Sequence, residues 1–194
     1  MDTQVGIVGA GPAGLLLAHL LGREGIESVV LEARTREYVE HRVRAGVLEQ
    51  GTVDVLTETG VADRLQREGM VHRGLELRFG GRGHRIALSE LAGGRAITVY
   101  GQQEVVKDLI AARLDAGGEL RFEAGATAVD PERATIAFGD GDELSCEVVA
   151  GCDGFHGVSR AAVPHTAYER EYPFAWLGIL ARAAIRSLTT SCWP

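Results

Sequence analysis

Cysteine is scarce in this chain: Cys146, Cys152 and Cys192 are the three among 194 residues. An odd number without paired spacing argues against a disulfide scaffold and for a reducing compartment, so a cytoplasmic location is expected. Aromatic residues are few, at 6%. Positive charge is outweighed, since 20 Lys and Arg face 27 Asp and Glu for a net charge of −7. An acidic, aromatic-poor chain has no electrostatic footprint for nucleic acid. Long apolar runs are missing too. The longest strongly apolar stretch, Ala13 to Leu21, falls far short of the roughly 20 residues a membrane span needs, so no membrane partner is expected. The start has no basic segment ahead of a long apolar one, and no signal peptide is expected. The six histidines are scattered, with no HExxH or Cys/His cluster, and no metal site is expected.

What is present is ordinary in bulk and specific in detail. The chain is 45% hydrophobic and 24% charged, the balance of a globular protein with one large domain, or one domain and a fragment. Its opening carries the strongest signal. Residues 4–9 form a short apolar run into Gly9-x-Gly11-x-x-Gly14. Residues 12–24 have helical spacing, and residues 28–32 give a second apolar run ending in Glu32. Gly9 permits a tight turn out of the strand, Gly11 lets backbone approach a pyrophosphate, and Gly14 lets helix pack closely on strand. Ala13 and its neighbours lie in the first helical turn, where free N–H groups and the helix dipole favour phosphate. Glu32 can accept hydrogen bonds from ribose hydroxyls. Strand, helix and acid are in register, and together they predict a βαβ unit for the ADP half of a dinucleotide.

The remaining pattern predicts an α/β chain, with a Rossmann-like parallel central sheet and added antiparallel hairpins. Arg34 to Arg44 reads as a basic polar stretch and residues 47–58 as a helix. Leu75–Phe79 and Arg85–Leu88 alternate as a hairpin around a turn at Gly80–Gly83, and residues 96–100 read as a strand. Gln102 to Ala116 has helical spacing, stopped by Gly117-Gly118. Residues 119–123, 125–129, 134–138 and 143–150 read as strands, with a tight turn at Gly139–Asp142.

Two further segments are candidates for ligand contact. Glu147 to Gly157 reads as a strand entering a loop of small residues, with Asp153 and Gly154 placed to meet a ligand; on residues alone an exposed turn explains it equally well. Arg34, Arg36, Arg42 and Arg44 crowd one stretch. Arginine forms forked hydrogen bonds to phosphate, yet charge runs are commonly solvated faces, and residues alone leave both readings open.

Taken together, the Gly9–Gly14 fingerprint, Arg42–Gly51, Val99–Gln102, Ala150–Gly157 and Tyr172–Gly178 resemble the single-component FAD-dependent aromatic hydroxylases. The similarity runs from residue 3 to about 180. The resemblance implies FAD as cofactor and NADPH or NADH as reductant, without a separate Rossmann domain for the latter. It implies a small aromatic substrate, a phenolic carboxylate such as 4-hydroxybenzoate, hydroxylated ortho to its hydroxyl. It implies that Glu32 binds the adenosine ribose and that Arg44 meets the pyrophosphate. Ala45, Gly46 and Val47 would lie along the isoalloxazine, and Gln102 would contact the ribityl–phosphate region. Asp153 and Gly154 would contact the cofactor, Arg42 would serve both nucleotides, and Arg34, Tyr38 and His156 would complete the NADPH surface. Full-length members are expected to be homodimers.

The chain also departs from that family. Members are roughly twice as long, and the half that holds the substrate-binding residues has no counterpart here, so no catalytic residue is assigned. Residues 1–180 are expected to form the FAD-binding domain, with the start of a substrate-domain sheet near 170–180. Residues 181–194 are expected to be a non-family tail, as a frame shift would produce. Exposed apolar surface, weak or no FAD retention and no hydroxylation by this polypeptide alone are expected in consequence. Another FAD-dependent oxidoreductase is an alternative, although no CxxxxC pair follows the first helix; a non-catalytic nucleotide-binding remnant is a third reading.

Overall fold

The computed structural model describes residues 2–175. In chain order, β1 (Thr3–Val8) leads into α1 (Pro12–Arg23) and β2 (Ser28–Leu31), followed by α2 (Arg36–His41), β3 (Val47–Glu49), α3 (Gln50–Glu58) and α4 (Asp63–Glu68). Then come β4 (Met70–His72), the hairpin β5 (Leu75–Phe79) and β6 (Arg82–Ile86), α5 (Leu88–Leu91) and β7 (Ile97–Val99). The long helix α6 (Gln102–Asp115) precedes β8 (Glu119–Arg121), β9 (Ala126–Asp130), β10 (Thr135–Phe138), β11 (Asp142–Gly151) and α7 (Val158–Ala161).

The main sheet has six strands in the order β8-β2-β1-β11-β10-β9. β8, β2, β1 and β11 run parallel, while β10 and β9 continue antiparallel, as the sequence predicted. β11 serves both parts: Asp142–Ser145 pair with β10, and Cys146–Gly151 pair with β1. Its ten residues therefore carry the chain from an outlying hairpin into the middle of the sheet.

Period-two alternation distributes side chains to two cores. Ile7 and Val30 join Leu15 and Ala18 of α1 and Leu109 and Ile110 of α6 on one face. Val8, Val29 and Leu31 join Ile136, Phe138 and Leu144 on the other. Covering both faces is why β1 and β2 read as nearly continuous apolar runs. Each fully buried Leu or Ile contributes about 1.5–3 kcal/mol of transfer free energy. Gly6 belongs to this fit, because a Cβ there would stand 2.6 Å from Ile136 Cδ1. Arg113 ties α6 to the sheet edge by donating to the Ser28 and Glu119 carbonyls. Burial pushes its pKa down, with only partial compensation from Glu119.

Several elements differ from the sequence reading. Residues 47–58 are not one helix: Val47–Glu49 form β3, held by β7, and the helix begins at Gln50. The basic stretch contains α2, whose first turn is capped when Thr35 Oγ1 accepts from Tyr38 N at 3.2 Å. The hairpin turn is tighter than expected, because Gly83 already pairs with Arg78 inside β6, and Leu88 opens α5 instead of ending a strand. Residues 170–175 carry no strand, and 176–194, with the expected tail, lie outside the described residues. Met70, Val71, Leu77 and Phe79 are exposed on the small sheets. Among the described residues no helix is long and apolar enough to cross a membrane.

Candidate functional site

The carboxyl ends of β1 and β11 meet. Val8 pairs with Gly151, and Cys152 N donates to Val8 O at 2.8 Å. The chain then turns sharply at Gly9, with φ of +102°, and a Cβ there would stand 2.6 Å from Cys152 O and 3.0 Å from Asp153 Cα. Gly14 is as constrained. A Cβ on it would collide with Gly9 O and come within 3.2 Å of Cys152 Cβ. Gly11 is the opposite case, since a Cβ there meets nothing within 4 Å. It borders open groove, where backbone is free to approach a ligand.

α1 starts at this point. Gly11 is its N-cap, no side chain caps it, Pro12 occupies its first turn, and no acidic residue lies there. The first-turn N–H groups have no intrahelical acceptor, and the dipole adds positive potential. Glu32 closes the other side. Its Oε2 accepts from Ala10 N and its Oε1 from Arg34 N, both at 2.9 Å. Each carboxylate oxygen has room for a second donor, so ribose hydroxyls can still bind there.

A groove of about 1020 Å³ runs along these strand ends. It takes in Gly9, Gly11 and Ala13 from the first turn, with Glu32, Arg34, Tyr38, Arg42 and Arg44 from the next connection. Gln102, Asp153, Gly154 and His156 complete the predicted set that borders it. Arg34 and Arg42 both approach the Tyr38 ring, with guanidinium carbons 5.3 and 5.6 Å from its centroid. Gly14 lies behind the turn, as its packing role requires. Ala45, Gly46 and Val47 do not border the groove. They are docked against the start of α6: Gly46 O accepts from Tyr100 N at 2.9 Å, and Ala45 O accepts from Gln102 N at 3.3 Å.

Asp153 has a local task as well. Its Oδ2 accepts from Ser159 N at 3.0 Å in the first turn of α7. A side chain on Gly157 would collide with that carboxylate. Gly154 turns with φ of +79°, which leads the chain to Phe155 and His156 at the groove. Cys152 also borders the groove, and burial, with a smaller push from Asp153, raises its thiol pKa above the usual 9.0. Alkylation of Cys152, followed by peptide mass spectrometry, is therefore expected to be slow at pH 7 and to accelerate as pH rises past 9.0. A ligand filling the groove is expected to suppress it.

Sequence reasoning missed a charged cluster that joins α4 to α6. Arg64 of α4 reaches α6: it donates to Glu104 through both the carboxylate and the backbone carbonyl, and to Asp108 Oδ1 at 2.9 Å. Tyr100 donates its hydroxyl to Asp108 Oδ2 at 2.7 Å, and Lys107 donates to Glu104 at 2.9 Å. Burial and the Asp108 bond push the Tyr100 phenol well above its usual value. Burial would raise Glu104, yet the bonds from Lys107 and Arg64 outweigh it and hold the carboxyl below the ordinary carboxylate range. Gln103, also missed, borders the groove, and its Oε1 is buried without a hydrogen-bond partner.

A glycine turn at the head of a helix, an acid at the end of the neighbouring strand and a groove across the strand ends define a dinucleotide-binding domain. The family model described as FAD binding domain matches residues 2–193, and the chain belongs to the FAD-dependent aromatic hydroxylases. It is 44% identical over 189 residues to p-hydroxybenzoate hydroxylase of Acinetobacter baylyi, covering 93% of this chain and 47% of that protein. It is 31% identical over 170 residues to 3-amino-4-hydroxybenzoate 2-monooxygenase of Streptomyces cremeus, covering 84% of this chain and 42% of the relative. The crystal structure of Pseudomonas aeruginosa PqsL in complex with 2-aminobenzoylacetate superposes with a TM-score of 0.77 at 27% identity, over 88% of this chain and 48% of that one. The chain thus spans about half the length of these relatives.

The site fits FAD on its own geometry. Gly11 offers an unobstructed backbone face, the α1 N-terminus offers unpaired donors, and Glu32 offers acceptors on the same groove.

Proposed function

We propose that this chain is the FAD-binding portion of an NAD(P)H-consuming aromatic monooxygenase. Its substrate would be 4-hydroxybenzoate or a similar phenolic carboxylate, hydroxylated ortho to the hydroxyl. The observation that carries the proposal is the shared groove: the Gly9–Gly14 turn and the Cys152–His156 loop border one cavity. The 44% identity to a p-hydroxybenzoate hydroxylase supports the substrate class, and so does the second benzoate-directed relative. FAD, when bound, supplies the redox chemistry and the activation of oxygen. The cytoplasm is the compartment that fits three cysteines without paired spacing.

The chain's own residues hold and orient. In this reading Gly11, Ala13 and the α1 N-terminus receive the pyrophosphate, and Arg44 adds a forked charge-assisted donor. Glu32 accepts from the adenosine ribose. Gln102 reaches the ribityl–phosphate region, while Ala45, Gly46 and Val47, which lie outside the groove, would form a strip along the ring where it extends beyond the groove. Asp153 and Gly154 shape the opposite wall. Arg34, Tyr38, Arg42 and His156 supply cationic and stacking contacts for the nicotinamide nucleotide. Residues 1–180 serve as the cofactor domain, in an enzyme expected to be a homodimer at full length.

Titrating the chain with FAD and following the quenching of flavin fluorescence tests the cofactor assignment. Saturable binding displaced by ADP is expected, and Arg44→Ala is expected to weaken it by roughly tenfold or more. No saturation with either nucleotide would contradict the assignment. NADPH loss accelerated by 4-hydroxybenzoate supports the hydroxylase; flavin binding without acceleration limits this polypeptide to holding the cofactor.

A further inference from the structure

We propose that Arg64, which does not border the groove, is a positioning residue for the flavin half of the cofactor site. This inference rests on the FAD reading above. The side chain leaves α4 and grips α6 at two successive turns, through the Glu104 carboxylate and carbonyl and through Asp108. Asp108 in turn holds the Tyr100 hydroxyl at 2.7 Å, and the guanidinium carbon lies 5.7 Å from the Tyr100 ring centroid. Tyr100 is therefore fixed from its ring, its hydroxyl and the helix that follows it.

What Tyr100 carries is the point of contact with the site. Its backbone N–H donates to Gly46 O, and Gln102 N donates to Ala45 O. The two chains are so close that a Cβ on Gly46 would stand 3.4 Å from Gly101 Cα. Arg44 and Gln102, which border the groove, flank these bonds on either chain. The path from Arg64 to the groove thus runs Asp108, Tyr100 and Gln102, with Ala45 and Gly46 tied alongside, each step a hydrogen bond or a short length of backbone. The ADP half is built elsewhere, on the Gly9–Gly14 turn and Glu32 at the ends of β1 and β2. Loosening Tyr100 should disturb one half and spare the other.

Only arginine can make this grip. Its planar fork reaches a carboxylate and a carbonyl on one side and a second carboxylate with Nε, whereas a lysine has a single charged nitrogen. The cluster is enclosed enough to matter, with the Arg64, Glu104 and Asp108 side chains 28%, 24% and 20% exposed. The Glu104 carboxyl is held below its usual range by Lys107 and Arg64, against the burial that would raise it.

The test measures FAD and ADP affinity side by side on the 194-residue chain. A global loss of stability leaves the ratio of the two unchanged in the folded fraction, and a displaced flavin half does not. Arg64→Leu and Arg64→Lys are expected to lower the preference for FAD over ADP by roughly fivefold, with ADP affinity unchanged. Tyr100→Phe removes only the tether to Asp108 and is expected to shift the ratio the same way; it decides the matter if the Arg64 variants do not fold. An unchanged ratio in Tyr100→Phe, or an equal loss of FAD and ADP affinity in the Arg64 variants, overturns the positioning role. A wild-type chain that binds ADP without preferring FAD rejects the flavin reading of the groove, and the positioning role falls with it. Preserved wild-type preference with unaltered variants rejects the positioning role alone.

Discussion

Gly14→Val is expected to cost about 3 kcal/mol or more of folding stability, and Gly11→Ala about 1 kcal/mol or less. Both glycines belong to one fingerprint, but their surroundings are opposite. At Gly14 the added atoms meet the Gly9 carbonyl and Cys152, both part of the backbone crossing where β1, α1 and β11 converge. Neither can retreat without opening the pair between Val8 and Gly151. At Gly11 the backbone is extended, with φ of −76° and ψ of 178°, and the methyl group points into open space. Alanine adopts that conformation without strain.

Ligand affinity should separate the two further. The Gly11 methyl group occupies the space through which a pyrophosphate would approach the helix N-terminus. Forcing it aside corresponds to overpacking, about 1–3 kcal/mol, so FAD affinity should fall roughly five- to hundredfold in a chain that still melts cooperatively. Circular dichroism melting and flavin titration read the two effects separately. If Gly11→Ala bound FAD as tightly as wild type, the groove would not receive the pyrophosphate at this turn.

The parts of the fold that were legible in the sequence are those whose signal is local. β1, α1 and β2 follow from apolar alternation, helical spacing and glycines whose conformational demands the structure then displays at Gly9 and Gly14. β3 was illegible because its three residues are strand only through Ile97–Val99, some fifty positions away. Val47 and Leu48 fit helical spacing equally well on their own. α2 was concealed by its charges, although Thr35 three residues before Tyr38, and Arg36 four before Glu40, were available cap and pairing signals. The run from 143 to 150 was read as a strand, but nothing in it announces the change of partner between Ser145 and Cys146. In the site, Gln102 came from resemblance alone, while Arg44 and Asp153 were candidates on their residues that the resemblance favoured over a solvated turn. Arg64 was invisible to both, because its partners are 40 and 44 residues away and it does not itself touch the groove.

Glu32→Ala is expected to weaken FAD and ADP together, by roughly ten- to hundredfold, and to lower stability by about 2 kcal/mol. The carboxylate has two duties. Within the protein it accepts from Ala10 N and Arg34 N, so it fixes the turn after β1 to the turn after β2. Toward a ligand it presents the remaining acceptor positions to ribose hydroxyls. Alanine removes both and leaves the partly buried Ala10 N–H and the exposed Arg34 N–H to find water. Glu32→Gln separates the duties. Its single amide oxygen can replace only one of the two backbone acceptors, and its NH2 group faces a donor at the other. It should therefore lose stability nearly as Glu32→Ala does, while its remaining acceptor capacity gives an intermediate ADP affinity. Because ADP contains the adenosine ribose and lacks the flavin, equal losses for the two nucleotides place the defect on the adenosine side. A loss confined to FAD would remove Glu32 from the ribose and reverse the direction in which the dinucleotide lies along the groove.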